Sequence, residues 1–187
     1  YIEIKKDGIA QFCQENYRLF STPWAKLYRR NIIKKYNLAF DEQVKYGEDF
    51  IFNMKYLMNC RLISLLDTPI YNYRLVVAGS AQTKYFKDMA VYRIKAYNAI
   101  LELIEMKDEQ IALRFLATGL GHYGTYIQNE NAFDGIKMLV DYFRSRVSYK
   151  KLVNELGFFK ACLIKQNHSG LLFGAIYIKN KLRRKIL

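Results

Sequence analysis

The sequence predicts an α/β block followed by an all-helical extension, dividing near residue 84. Three observations lead there. Residues 49–60 carry apolar side chains at helical spacing. Two runs of strand length and composition follow at 61–67 and 70–74. Beyond residue 84 the apolar periodicity is helical throughout, with no further strand-like run. The reading assigns residues 1–83 to the α/β block and 84–187 to a helical, basic extension, mostly α overall.

The elements follow in order. Ile9, Phe12, Cys13, Tyr17 and Phe20 recur at spacings of three and four, which predicts helix over 6–20. Ser21-Thr22-Pro23 breaks it. Residues 25–28 read as a short extended segment, 31–36 as a short helix, and the polar stretch 37–47 as a surface loop. Phe50, Met54, Leu57 and Met58 form one stripe, and Gly47-Glu48-Asp49 stands at its start, where carboxylates meet the positive end of the helix dipole. RLISLLD (61–67) is a strand candidate, Thr68-Pro69 a corner, and IYNYR (70–74) a second strand with Tyr71 and Tyr73 on one face. Gly79-Ser80 closes the block. A long helix is then expected from Phe86 to near Lys107. Further helices are expected at 109–128, 132–146 and 148–166, with breaks near 119–121, 129–131 and Gly157.

Composition narrows the function. The chain has 187 residues, 51% hydrophobic and 25% charged, enough for a packed core and too apolar for disorder. Its three cysteines, Cys13, Cys60 and Cys162, are scattered with no CxxC spacing, and its two histidines form no metal motif. A disulfide framework and a Cys- or His-built metal centre are therefore not expected. The chain begins at Tyr1 rather than Met and reads as a piece of a longer protein.

The net charge is +13, and the excess is localised. Residues 1–140 hold 19 basic and 15 acidic residues, whereas residues 141–187 hold 11 and 2. Such an end suits an anionic partner or is simply a solvated basic face. The apolar run 170–178 is too short to cross a bilayer, which takes about 20 residues. Followed by Lys179, Lys181, Arg183, Arg184 and Lys185, it fits an interfacial anchor on anionic lipid, or a terminal helix docked on its own domain.

Residues with chemical potential sit earlier. Glu48 and Asp49 open a helix beside a loop. Either one caps it, or one points into a cleft as a general base. Trp24, the single Trp, stands among Lys26, Arg29 and Arg30, a grouping that suits a sugar or phosphate binder or a core Trp under a basic loop.

Taken in order, PWAKLYRRNIIKKYNLAFDE, YGEDFIFNMKYL, TPIYNYR and GSAQT resemble the second half of bacterial family 2 glycosyltransferases of the capsule, lipopolysaccharide and teichoic-acid branch. The likeness covers residues 21–83. It implies a GT-A fold and transfer of a sugar, with inversion, from a nucleotide-sugar donor to a glycan or lipid-linked acceptor. Asp49 matches the family's catalytic base, and Glu48 the preceding acid that shapes the acceptor site. Trp24 and Lys26 match the Pro-Trp-x-Lys motif lining the cleft, and Tyr73, Arg74 and Ser80 match later motifs. The implied location is cytoplasmic, with peripheral attachment to the inner face of the membrane.

One departure is large. The family holds Mg²⁺ or Mn²⁺ with an Asp-x-Asp motif, and none occurs in this sequence. The nucleotide-binding half is missing too, so the chain reads as the acceptor side alone. It is expected to bind no metal and to be inactive by itself. The competing readings are a noncatalytic basic helical module for membrane or nucleic acid, and an adaptor using Trp24 and the tyrosines as a contact surface. The module reading lacks any helix-turn-helix, RNP or zinc signature, so no nucleic-acid partner is expected.

Overall fold

Apolar residues three and four apart wind the start of the chain into α1 (Ile9–Glu15) and α2 (Tyr17–Phe20). The computed structural model describes residues 2–3, 8–72, 74, 88–105, 109–123 and 131–183. The chain divides into two compact units, each composed of two stretches: Tyr1–Lys84 with Asn98–Ile111, and Tyr85–Tyr97 with Ala112–Leu187.

In the first unit Cys13 and Phe20 are buried, and the Phe12 and Phe20 rings meet at 5.5 Å. Residues 25–28 are not extended as expected: Ala25 turns through φ 58° and the segment is irregular. Helix α3 (Arg30–Lys35) follows, with Lys34 and Lys35 in its last turn where cations suit the dipole. Asn37, at φ 47°, lets the Leu38 N–H reach back to the Ile33 carbonyl.

Helix α4 (Glu48–Leu57) begins at Gly47, whose φ of 102° is cheap only for glycine. The sequence predicts one apolar stripe here. The structure instead buries Ile51, Phe52, Asn53 and Tyr56 along with Phe50, Met54 and Leu57. Aromatic rings from several segments enclose it: Tyr17 on Phe50, Tyr28 on Phe52 and Tyr56, and Phe40 stacked on Phe52 at 4.4 Å. Burial over most of its circumference suits the run of apolar residues after Asp49, and Glu48, Asp49 and Lys55 stay part-exposed.

The strands are where expectation and structure part. Of 61–67 only β2 (Leu62–Ile63) forms, pairing antiparallel with β1 (Ile2–Glu3) in the register Ile2 to Ile63. Leu65, Leu66, Ile70 and Tyr71 are exposed, and Ile70, Tyr71, Asn72 and Arg74 lie in no strand. The α/β expectation thus reduces, among the described residues, to one two-stranded ladder in a mostly helical chain. Tyr73 and the Gly79-Ser80 turn lie outside the described residues.

Helix α5 (Met89–Leu103) and helix α6 (Glu109–Tyr123) each contribute to both units. The break expected at 119–121 is absent, and α6 runs through both glycines. Arg93 of α5 packs against one of them. It is buried, donates to the Phe115 carbonyl at 3.1 Å and Thr118 Oγ1 at 2.9 Å, and lies 2.6 Å from His122 Nδ1. A Cβ at Gly119 would meet its aliphatic stem at 3.4 Å, an ordinary contact. Burial and the Arg93 charge lower the His122 pKa to about 4, so its ring is neutral at pH 7.

The second unit continues with α7 (Ala132–Arg146), α8 (Tyr149–Leu156), α9 (Phe158–Lys165) and α10 (Ser169–Arg183). Ser148 caps α8 by accepting from the Lys151 N–H, and Gly157, at φ 83°, separates α8 from α9. Lys165 Nζ donates to the Arg144 and Val147 carbonyls at the end of α7. Leu172 and Ile176 of α10 are buried, whereas Leu171, Ile178, Leu182, Lys179 and Lys181 are exposed. The apolar run is therefore only half available to a membrane, because the helix packs its other half on its own unit. Arg184 and Lys185 lie outside the described residues, as does the Arg183 side chain. No helix among the described residues is long and apolar enough to cross a membrane.

Candidate acceptor site

The first unit joins an irregular loop, residues 21–29, to the start of α4. Asn53, one turn beyond Asp49, is 2% exposed and uses its whole carboxamide. Its Nδ2 donates to the Phe20 carbonyl at 2.8 Å and the Thr22 carbonyl at 2.9 Å, and its Oδ1 accepts from the Tyr28 hydroxyl at 2.6 Å. The backbone N–H of Arg29 donates to the Tyr56 hydroxyl at 2.6 Å, fixing the loop's far end.

Lys26 folds back on the same loop. Its Nζ donates to the Thr22 carbonyl at 2.6 Å and the Trp24 carbonyl at 3.3 Å. Burial lowers its pKa, and the charge of Asp49 works against that. Asp49 is half-buried in turn. Burial first, and the Glu48 charge second, raise its pKa to about 6, while Lys26 pulls it down. Burial, then Asp49 and Tyr56, push the Tyr28 phenol up to about 12, so it stays a protonated donor to Asn53. Gly47 at the N-cap has no side chain to offer, and Glu48 and Asp49 stand in the first turn of α4, where carboxylates suit the dipole.

Trp24 is not a core residue. It is 37% exposed and stacks on Tyr71, itself 49% exposed, with centroids 4.9 Å apart and planes 17° from parallel. Two parallel rings open to water form an apolar face of the kind that receives the C–H side of a sugar.

The structure therefore brings Trp24, Lys26, Glu48 and Asp49 to one neighbourhood. Arg74 is exposed, while Tyr73 and Ser80 lie outside the described residues. Sequence reasoning missed Asn53, Tyr28 and Tyr71 as site residues. The available signal was a lone polar residue in the apolar run of α4, four positions after Asp49 and on the same side of the helix.

Among the described residues no three His, Cys, Asp or Glu side chains group so as to hold a metal ion. The Asp-x-Asp through which the resemblance implies Mg²⁺ or Mn²⁺ binding does not occur in the sequence.

No family model matches the chain, and no solved structure matches it. Curated bacterial proteins do match in part. The chain is 32% identical over 76 residues to the uncharacterized glycosyltransferase EpsJ of Bacillus subtilis (strain 168), covering 41% of the chain and 22% of that protein. It is 30% identical over 98 residues to poly(ribitol-phosphate) beta-N-acetylglucosaminyltransferase TarS of Staphylococcus aureus (strain MW2), covering 49% and 17% respectively. A second Bacillus subtilis protein named as a glycosyltransferase, EpsH, is 32% identical over 79 residues, covering 39% of the chain and 23% of that protein. The chain thus spans less than a quarter of each of these relatives. Over part of its length it is similar to bacterial proteins named as glycosyltransferases.

Proposed function

We propose that residues 1–83 are the acceptor-side part of an inverting, family 2 glycosyltransferase domain of GT-A type, with residues 84–187 as its helical extension. The transfer is from a nucleotide sugar to a glycan or lipid-linked acceptor in cell-surface polysaccharide synthesis. One observation carries this reading. Asp49 is a half-buried carboxylate with a raised pKa of about 6, next to a loop bearing Lys26 and the Trp24–Tyr71 stack. The partial likeness to named glycosyltransferases supports it.

In this reading the acceptor sugar lies against Trp24 and Tyr71, and Asp49 accepts the proton of its attacking hydroxyl. The hydroxyl oxygen forms a bond to the anomeric carbon as the bond to the nucleotide diphosphate breaks, and inversion follows from that single displacement. A base with pKa near 6 is ionised at neutral pH yet basic enough to take the proton. Glu48 keeps that pKa up and Lys26 keeps it from rising further.

The test is Asp49→Asn in the transferase containing this segment. Turnover falls about 10²–10⁴-fold, the usual worth of general-base help, with donor affinity unchanged. Near-normal turnover overturns the assignment.

A second reading concerns α10, where exposed Leu171, Ile178 and Leu182 accompany exposed Lys179 and Lys181. That mixture supports a reading of peripheral docking on anionic lipid, which we propose for the cytoplasmic face. Binding to anionic vesicles that resists salt, or that equals binding to neutral vesicles, overturns it.

A further inference from the structure

We infer that Asn53 is a positioning residue, the clamp that locks the loop bearing Trp24 and Lys26 to the helix bearing Asp49. The inference rests on the transferase reading only for its effect on activity. The loop has no regular structure, and side chains take up its carbonyls. Asn53 binds those of Phe20 and Thr22, and Lys26 those of Thr22 and Trp24. The Thr22 carbonyl accepts from both Asn53 and Lys26, so the clamp and the lysine share one anchor.

A buried carboxamide costs free energy unless every donor and acceptor is satisfied, and an apolar residue could fill the same space without that demand. What Asn53 adds is direction. Its two N–H groups and one oxygen meet three groups, two carbonyls and the Tyr28 hydroxyl, spread over residues 20–28. It sits one turn from Asp49, so the base and the loop move as one body. Reaction rates are sensitive to misplacements of about 1 Å, at a cost of about 10²-fold.

Trp24 is the only tryptophan in the chain, so its fluorescence reads the loop directly. In the full chain, Asn53→Leu removes all three hydrogen bonds at similar volume. Trp24 emission is expected to shift to the red and acrylamide quenching to rise, with helical circular dichroism retained. Tyr28→Phe keeps the ring packing against Phe52 and Tyr56 and removes one bond, giving the same change at smaller size. It decides the matter if Asn53→Leu fails to fold. In the transferase containing this segment, kcat/KM for the acceptor falls about 10²-fold while KM for the donor holds. Unchanged Trp24 quenching in a folded variant overturns the clamp, and an equal loss toward donor and acceptor overturns the positioning role. A fully active Asp49→Asn would instead overturn the transferase reading, leaving the fluorescence result to decide the clamp by itself.

Discussion

Trp24 lies on Tyr71 with ring centroids 4.9 Å apart and planes 17° from parallel, and both rings remain open to water. Tyr71 comes from a stretch that forms no strand, so the stack itself ties that stretch to the loop. An aromatic pair contributes about 0.5–1.5 kcal/mol beyond burial. Tyr71→Ala should therefore raise acceptor KM by roughly three- to tenfold with kcat nearly intact, and Tyr71→Phe should change little. Acceptor titrations at saturating donor measure both, and a fall in kcat alone contradicts the platform.

Acid should silence the site at a defined point. Asp49 acts only when ionised, and burial together with Glu48 holds its pKa near 6. Acceptor kcat/KM is expected to fall below about pH 6 rather than below pH 4. Lys26 lowers that pKa, so Lys26→Met should move the acid limb to higher pH. A limb that stays put shows that the titrating group is not Asp49.

The same carboxylate should weaken the fold as pH rises. Its folded pKa, about 6, lies above the ordinary value of 3.8, so the folded chain holds the proton more tightly than the unfolded one. The resulting stabilisation is present below pH 4 and is lost as pH rises to 6. Asp49→Asn escapes that loss. Its melting temperature should match the parent's near pH 4 and exceed it at pH 7, as thermal melts at the two pH values would show. A variant less stable at pH 7 contradicts the raised pKa.

One substitution should act in opposite directions at two helical glycines of the second unit. A Cβ on Gly135 of α7 would run into the Tyr123 ring, whereas one on Gly174 of α10 meets nothing within 4 Å. Gly135→Ala should destabilise by about 1–3 kcal/mol through overpacking. Gly174→Ala should stabilise by up to about 1 kcal/mol through helix propensity. Chemical denaturation of the two variants checks the sign of each.

Much of the helical architecture was legible from apolar spacing alone. α3, α7 and the Gly157 break fall where the pattern puts them, and α7 turns the expected apolar stripe inward through Ile136, Leu139, Val140 and Phe143. The strands were not legible, since RLISLLD has strand composition but its pairing depends on a partner about sixty residues away, at Ile2 and Glu3. The predicted break at 119–121 failed for a related reason. Glycine weakens a helix locally, but here Arg93 packs against Gly119 from another helix. At the site, the acidic pair and Trp24 stood out by residue type. Asn53 did not, because its importance lies in three hydrogen-bonding groups spread between residues 20 and 28.

The corner between α8 and α9 is made by Gly157 alone, at φ 83° and ψ 158°, with open space where a side chain would stand. Nothing around it excludes other residues, and only the torsion does. The torsion at Gly157 and the packing of α8 on α9 specify the corner together. A side chain at residue 157 would therefore spoil the bend through backbone strain alone, with no clash to relieve.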